Sequence, residues 1–225
     1  MHNAPIHEAR GAVRKRIGNA RVVWWDFDGV IKETLETKGR VFASLFPEAS
    51  EALHEKIKIH HAHHGGIPRW QKLPLYLAWA GFEPKPKLVN QYAERFSRMI
   101  IAEVEKAAWV PGAQEYLLQN HQRQRFFLVS ATPQKELETL AKSLGIFNLF
   151  HSLSGWPTTK ERAIQNQLAT SGFPPEECLV IGDSLVDYQA ARKTGVPFLL
   201  RSHPSNREEF RDLSVSRVMD FLFKN

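Results

Sequence analysis

The sequence predicts an α/β fold, a doubly wound parallel sheet with an all-helical segment inserted after its first strand. Three observations carry that expectation. From residue 108 onward, apolar runs that stop at polar residues alternate with helix-length amphipathic segments, the pattern of a parallel sheet with crossover helices. A strand-like run, Arg21-Val22-Val23-Trp24-Trp25, stands far ahead of that alternation. Between the two, residues 32–107 read as helix after helix with no strand. The core is therefore expected to be discontinuous, 21–31 and 108–225, with residues 32–107 as a helical insert.

Residues 1–20 are polar and basic and free of β-branched runs, and are expected to be a mobile or loosely helical lead-in. After the first strand, a helix begins near Glu33 and carries Val41, Phe42, Leu45 and Phe46. Further helices are expected over Glu51–His64, ended by Gly65-Gly66, and over Trp70–Ala80, closed by Gly81. Leu88 to about Ala107 is a long amphipathic helix with Val89, Tyr92, Phe96, Ile100 and Val104 on one face. Past Val110-Pro111-Gly112 come a helix through Gln119, a strand Arg125–Val129, a helix Lys135–Leu144 and a short strand near Leu149-Phe150. A helix starting close to Lys160, a strand Glu177–Ile181, a helix Val186–Lys193 stopped by Gly195, and a strand Val196–Leu200 complete the core. The tail from Asn206 is expected to be helical, with a weak stripe of Phe210, Leu213, Met219 and Phe221.

Composition excludes several classes. With 225 residues, 43% apolar and 24% charged, the chain is an ordinary globular one, long enough for a large core plus an insert. Its single cysteine, Cys178, rules out an internal disulfide and fits a reducing compartment, so the expected location is cytoplasmic. There is no signal-peptide pattern and no apolar run long enough to span a bilayer. The net charge of +6 suits small anionic substrates. The basic cluster Arg10, Arg14, Lys15, Arg16 lacks interleaved aromatics, and no nucleic-acid-binding signature is present, so no nucleic-acid or membrane partner is expected.

The chemistry is concentrated where strands stop. Asp26 and Asp28 follow Trp25 and, two positions apart, point to one side of the chain. Their mutual repulsion would be offset by a cation, and magnesium suits a site of carboxylates, waters and phosphate oxygens. Ser130 and Asp183 end two other strands. In a parallel sheet these ends share one edge, where Lys160 at a helix start could also reach. Carboxylates, a hydroxyl and an ammonium form the inventory for phosphoryl transfer to an aspartate. Taken singly, each residue also has a structural use as a turn, a cap or a solvated helix position.

With these motifs in this order, the sequence resembles the haloacid dehalogenase superfamily, in its phosphatase branch. Asp26-Phe27-Asp28-Gly29-Val30 matches the first family motif, Ser130 the second, Lys160 the third, and Gly182-Asp183-Ser184-Leu185-Val186-Asp187 the fourth. The resemblance covers about residues 21–203. It implies a Rossmann-like core with a helical cap, as in phosphoglycolate phosphatases and β-phosphoglucomutase. It also implies a magnesium-dependent phosphatase acting on a small phosphorylated metabolite through an aspartyl-phosphate. In that scheme Asp26 attacks phosphorus and Asp28 is the general acid and base. Asp26, the main-chain carbonyl of Asp28, and Asp183 hold Mg2+. Ser130 and the amide of Ala131 bind phosphoryl oxygens, Lys160 neutralises Asp26 and phosphate, and Asp187 orients a metal-bound water or Lys160.

In the insert, Gly65-Gly66-Ile67-Pro68-Arg69 resembles the glycine-then-arginine loop of that branch, which makes Gly66 and Arg69 the expected substrate-reading residues, against a surface arginine as the plain alternative. In His60-His61-Ala62-His63-His64, His60 and His64 are one turn apart; dipole-favoured capping is the simpler role, with a substrate contact ahead of a metal site. Trp70, Trp79 and Trp109 are expected to pack at a seam between insert and core. The rival outcomes are a phosphomutase and a non-catalytic binding module. A dehalogenase needs neither Asp28 nor Asp183. A phosphonate hydrolase would need a desolvated lysine in the insert, and nothing in the sequence marks Lys38, Lys56, Lys58 or Lys72 as such.

Overall fold

The structure, a computed structural model, describes residues 6–223. Its strands are β1 Val22–Trp25, β2 Arg125–Pro133, β3 Ser152–Trp156, β4 Cys178–Gly182, β5 Phe198–Arg201 and β6 Ser216–Val218. They form one parallel six-stranded sheet in the order β3-β2-β1-β4-β5-β6. The helices are α1 Ile6–Asn19, α2 Leu35–Ser44, α3 Glu51–His63, α4 Arg69–Trp79, α5 Pro86–Lys106, α6 Ala113–Asn120, α7 Gln134–Ser143, α8 Lys160–Ser171 and α9 Leu185–Thr194.

Strand alternation sorts the core. Val22 and Trp24 pack on one face of the sheet with Phe127, Val129, Val180 and Phe210; Val23 and Trp25 pack on the other with Phe126, Leu128, Leu179 and Ile181. Both tryptophans of β1 are fully buried, and each aromatic of that size removes about 200 Å² from water, about 5 kcal/mol of gross driving force. Strand order reverses at β1, so the crevice beyond its carboxyl end is the natural ligand position.

Helices α2 to α5 enter and leave through paired crossing segments. Glu33 N donates to Ala108 O at 2.8 Å and Val110 N to Ile31 O at 3.0 Å. Lys32, buried, lies 4.7 Å above the Trp109 ring between them. Phe42, Tyr76 and Phe96 form the aromatic centre of these helices, with Phe42 in contact with both of the others.

Two expectations are corrected, and of the two alternatives for the lead-in the structure has the helical one. The lead-in is an ordered helix from residue 6 to residue 19, held by buried Val13 and Ile17 and by Gln124, whose side-chain amide donates to Ile17 O and Ala20 O; residues 1–5 of that expectation lie outside the described residues. Near Leu149 the chain makes a 3-10 turn, and the strand runs instead over Ser152–Trp156. The tail forms a 3-10 turn and then β6 rather than a helix. Its Phe210 and Phe221 are buried as a stripe would have them. Ser216-Arg217-Val218, however, pairs on the free edge of β5.

Candidate active site

Register brings the acidic residues together. Trp25 stands opposite both Leu128 and Ile181, so the residues that follow each strand emerge at one edge. Asp26 N donates to Ile181 O at 2.9 Å, which pins the start of the loop. Gly29 then turns with φ 71°, and a Cβ there would collide with the Asp183 carboxylate. Gly182 is equally constrained, because the Asp187 side chain packs where its Cβ would be. The two glycines let three carboxylates close up: ligand oxygens of Asp26, Asp183 and Asp187, all buried, lie within 4.8 Å of one another.

The lysine that answers this charge comes from α8. Thr159 caps that helix by accepting from Arg162 N, which sets Lys160 at its first position. Lys160 Nζ lies 2.7 Å from Asp26 Oδ2 and 2.6 Å from Asp187 Oδ1. Asp187 is fixed in turn by a capping box on α9, with the Ser184 hydroxyl donating to its Oδ2 at 2.5 Å. Burial opposes the charge on Lys160, but Asp187 and Asp26 outweigh it and hold the ammonium above its usual range. Asp26 and Asp183 are pushed well above the usual carboxylate range, by burial first and by the Asp187 charge next. A lone ammonium does not neutralise such a cluster. Hard oxygen donors crowded this way fit a small divalent cation.

Asp28 is turned away from the cluster. Its carboxylate accepts from Thr34 Oγ1 at 2.5 Å and from Lys38 Nζ at 2.6 Å. Burial alone would raise its pKa; Lys38, Thr34 and Lys160 together bring it below the usual value. The side-chain set that could hold a metal is therefore Asp26, Asp183 and Asp187, and the side chain of Asp28 lies outside it. Ser130 is buried at the end of the apolar part of β2, and its Oγ accepts from Thr132 N at 3.1 Å. Ala131 and Thr132 line the cavity at this edge. Asp183 is steadied from behind, by His203 Nε2 at 3.0 Å from its Oδ2 and by Asn206 Nδ2 donating to its carbonyl at 2.8 Å.

The insert closes the cavity over these groups. Gly66, with φ 75°, lies against Ser184 and Val186 of the core, and Leu35, Phe42 and Phe96 supply apolar walls. Arg69 lines the cavity but is neither free nor at the surface. Its Nη2 donates to Glu136 Oε1 at 2.6 Å and its Nη1 to Ser97 Oγ at 2.7 Å. The lysine expectation is also corrected, since Lys38 and Lys72 are both buried in this cavity. Within the histidine run, His60 and His64 stack at 4.0 Å, whereas His61 is the one that lines the cavity. Trp70 stacks on Trp156 across the seam at 6.0 Å, Trp79 packs on Tyr76, and Trp109 lies under Lys32.

Sequence reasoning missed Thr34, Lys38, His61, Lys72, Thr132 and His203. A faint signal existed for three of them: Lys38, His61 and Lys72 each fall on the apolar stripe of their helix, beside Phe42, Ile57 and Tyr76, where a polar residue needs a reason.

The same architecture occurs in solved structures. A phosphoglycolate phosphatase, so assigned by prediction, from Haemophilus somnus superposes with a TM-score of 0.64 at 19% identity over 81% of this chain and 85% of its own. CbbY from Rhodobacter sphaeroides, in complex with xylulose-(1,5)bisphosphate, gives 0.69 at 18% over 90% and 95%. A haloacid dehalogenase-like family protein from Streptococcus pneumoniae gives 0.60 at 18% over 81% and 85%. Likeness at these identities speaks for a shared fold. No curated protein matches the sequence. The haloacid dehalogenase-like hydrolase family matches residues 20–195, and with that span, the parallel core and the strand-end carboxylates together, the chain belongs to the haloacid dehalogenase-like hydrolases.

Proposed function

We propose that the protein is a magnesium-dependent phosphatase that hydrolyses a small phosphate monoester through an aspartyl-phosphate on Asp26. The observation that carries this reading is the placement of Lys160 Nζ, 2.7 Å from Asp26 Oδ2, beside the Asp26–Asp183–Asp187 cluster and at the mouth of β1. Asp26, Asp183 and the main-chain carbonyl of Asp28 would hold the ion, with Asp187 behind them, and magnesium would supply charge screening between nucleophile and phosphate.

Asp26 attacks phosphorus, and the P–O bond to the alcohol breaks. Lys160 balances the charge of the aspartate and of the transferring group. The leaving oxygen takes a proton from Asp28, to which the Lys38 ammonium passes one across a short hydrogen bond of 2.6 Å and to which one is later returned from the attacking water. Asp28, ionised, then accepts a proton from the water that attacks the acyl phosphate, which returns Asp26 and releases inorganic phosphate. Ala131 and Thr132 line this edge of the cavity, and the Ala131 N–H with the Thr132 and Ser130 hydroxyls would donate to phosphoryl oxygens. Phe42 and Phe96 form apolar walls of the cavity and would limit the access of bulk water to it. A buried, single cysteine suits a cytoplasmic location.

The test is release of phosphate from p-nitrophenyl phosphate with magnesium, by wild type and by Asp26→Asn. Loss of at least about a thousandfold in the variant, and loss of wild-type activity with a chelator, are the expected results. A variant near wild-type rate would remove the nucleophile assignment. Formation of an isomerised sugar phosphate without phosphate release would indicate a mutase.

A further inference from the structure

We propose that Lys72 and His61 form a subsite for a second anionic group, so that the preferred substrates are compact phosphate monoesters that also carry a carboxylate or another phosphate. The inference rests on the phosphatase reading above and assigns its substrate class.

Charge pairing in the cavity singles out Lys72. The other buried cations lining it each have a carboxylate: Lys38 has Asp28, Arg69 has Glu136, and Lys160 has Asp26 and Asp187. Lys72 is only 3% exposed, and among the described residues no carboxylate lies within ion-pair distance of it. Its hydrogen-bond partner is a ring nitrogen, His61 Nδ1 at 3.1 Å. A buried ammonium without an anion is costly, and a protein retains one where a ligand completes it.

His61 points the same way. Its ring is buried, and Nε2 has no hydrogen-bond partner. With Nδ1 accepting from the ammonium, the ring proton resides on Nε2, so the pair presents donors from both members. Burial and then Lys72 hold the ring well below its usual range, hence neutral. A donor-only pair in an apolar wall, with Phe42 5.1 Å from the His61 ring, matches an anion better than a hydroxyl that needs both a donor and an acceptor.

The subsite is close to the reacting end. Lys72 and His61 line the same cavity as Asp26, Asp28 and Asp183. The cavity is also narrow, about 40 Å³. Both facts favour a short tail between phosphate and anion.

The test compares short-chain pairs that differ in tail charge: 3-phosphoglycerate against glycerol 3-phosphate, and ethane-1,2-diol bisphosphate against 2-hydroxyethyl phosphate. Wild-type kcat/KM is expected to favour the anion-tailed member of at least one pair by roughly 10- to 100-fold, and the pair that responds identifies the anion. Lys72→Met, which removes an unpaired buried charge and so is expected to fold, brings that ratio toward one, and Lys72→Gln does the same. Thermal shifts with the same compounds read binding without turnover: wild type is raised more by the anion-tailed member, and Lys72→Met is not. Flat ratios in wild type, or a ratio and shift difference that survive in both Lys72 variants, overturn the subsite. If p-nitrophenyl phosphate is cleaved while the ratios are flat, only this inference fails. If no phosphate is released from any compound, the phosphatase reading fails, and the thermal shifts still decide whether Lys72 binds an anion.

Discussion

Arg69 Nη2 lies 2.6 Å from Glu136 Oε1, and both side chains are almost fully buried. The pair joins α4 of the insert to α7 beside the sheet, and Ser97 on α5 completes the link by donating to Glu136 Oε2 at 2.9 Å. The guanidinium also lies 4.4 Å from the Phe96 ring, so three elements meet on one cation. A pair so enclosed exerts its effect mainly when one partner is removed, because the other is left charged and dry. Glu136→Gln and Arg69→Met are each expected to destabilise the fold by about 3–5 kcal/mol. The double variant Arg69→Met/Glu136→Gln is expected to lose less than the two single losses combined. Urea denaturation of the four proteins tests this; simple additivity would show that the pair is not coupled.

Gly29 and Gly81 have similar backbones and different surroundings. Both have positive φ, 71° and 82°. Alanine at either position incurs a backbone strain of about 1–2 kcal/mol. At Gly81 nothing lies within 4 Å of the added Cβ, whereas at Gly29 it strikes the Asp183 carboxylate. Gly29→Ala is therefore expected to displace Asp183 and raise the magnesium concentration needed for half-maximal phosphate release by roughly tenfold or more. Gly81→Ala is expected to lower the melting temperature without that change. Equal magnesium titrations for the two variants would contradict the placement of Asp183.

Legibility in the sequence followed the range of the interactions. The strand ends at Asp26, Asp28 and Asp183 were legible because continuous apolar runs stop abruptly at them, and one sheet edge then collects them whatever the loop lengths. The helices of the insert were legible from their stripes. Lys38, Lys72 and His61 were not, since a lysine on a stripe is ordinarily a solvated one and its burial depends on which helices meet over the site. Arg69 was seen as a candidate, but Glu136 lies 67 positions away and no local pattern links them. At the tail, apolar Phe210 and Phe221 were legible as core, while the strand at Ser216–Val218 depended on the free edge of β5, a tertiary fact.

Cys178 tests the burial of β4. Its thiol is 3% exposed, with Sγ 3.3 Å from Pro174 O. Burial first, then Glu177 and Glu176, push its pKa up to about 11. Little thiolate exists at pH 8 and none of it is accessible. Reaction with Ellman's reagent in native buffer is expected to be slower than in 6 M guanidinium by about two orders of magnitude or more. A fast native reaction would mean that β4 opens readily.

Lys72 makes stability itself depend on pH. Burial and the neighbouring Lys38 lower its pKa from the ordinary 10.5 to about 7. Below about 7 the amine is protonated in both folded and unfolded chains, and the folded protein bears the whole penalty of the buried charge. Above 10.5 it is neutral in both and the penalty is absent. Between those limits the unfolded chain binds more protons, so stability attributable to Lys72 rises with pH across that window. His60 and His203 are lowered to about 4 and titrate outside it, whereas Tyr116 and Cys178, raised to about 12 and about 11, are common to wild type and variant and cancel in their difference. Lys72→Met is expected to be more stable than wild type at pH 6–7, on the order of a few kcal/mol, with the difference shrinking toward pH 10. Denaturant midpoints of the two proteins at pH 6, 7, 8, 9 and 10 measure it directly. A constant difference at every pH would show that Lys72 keeps its ordinary pKa and is solvated in the native state.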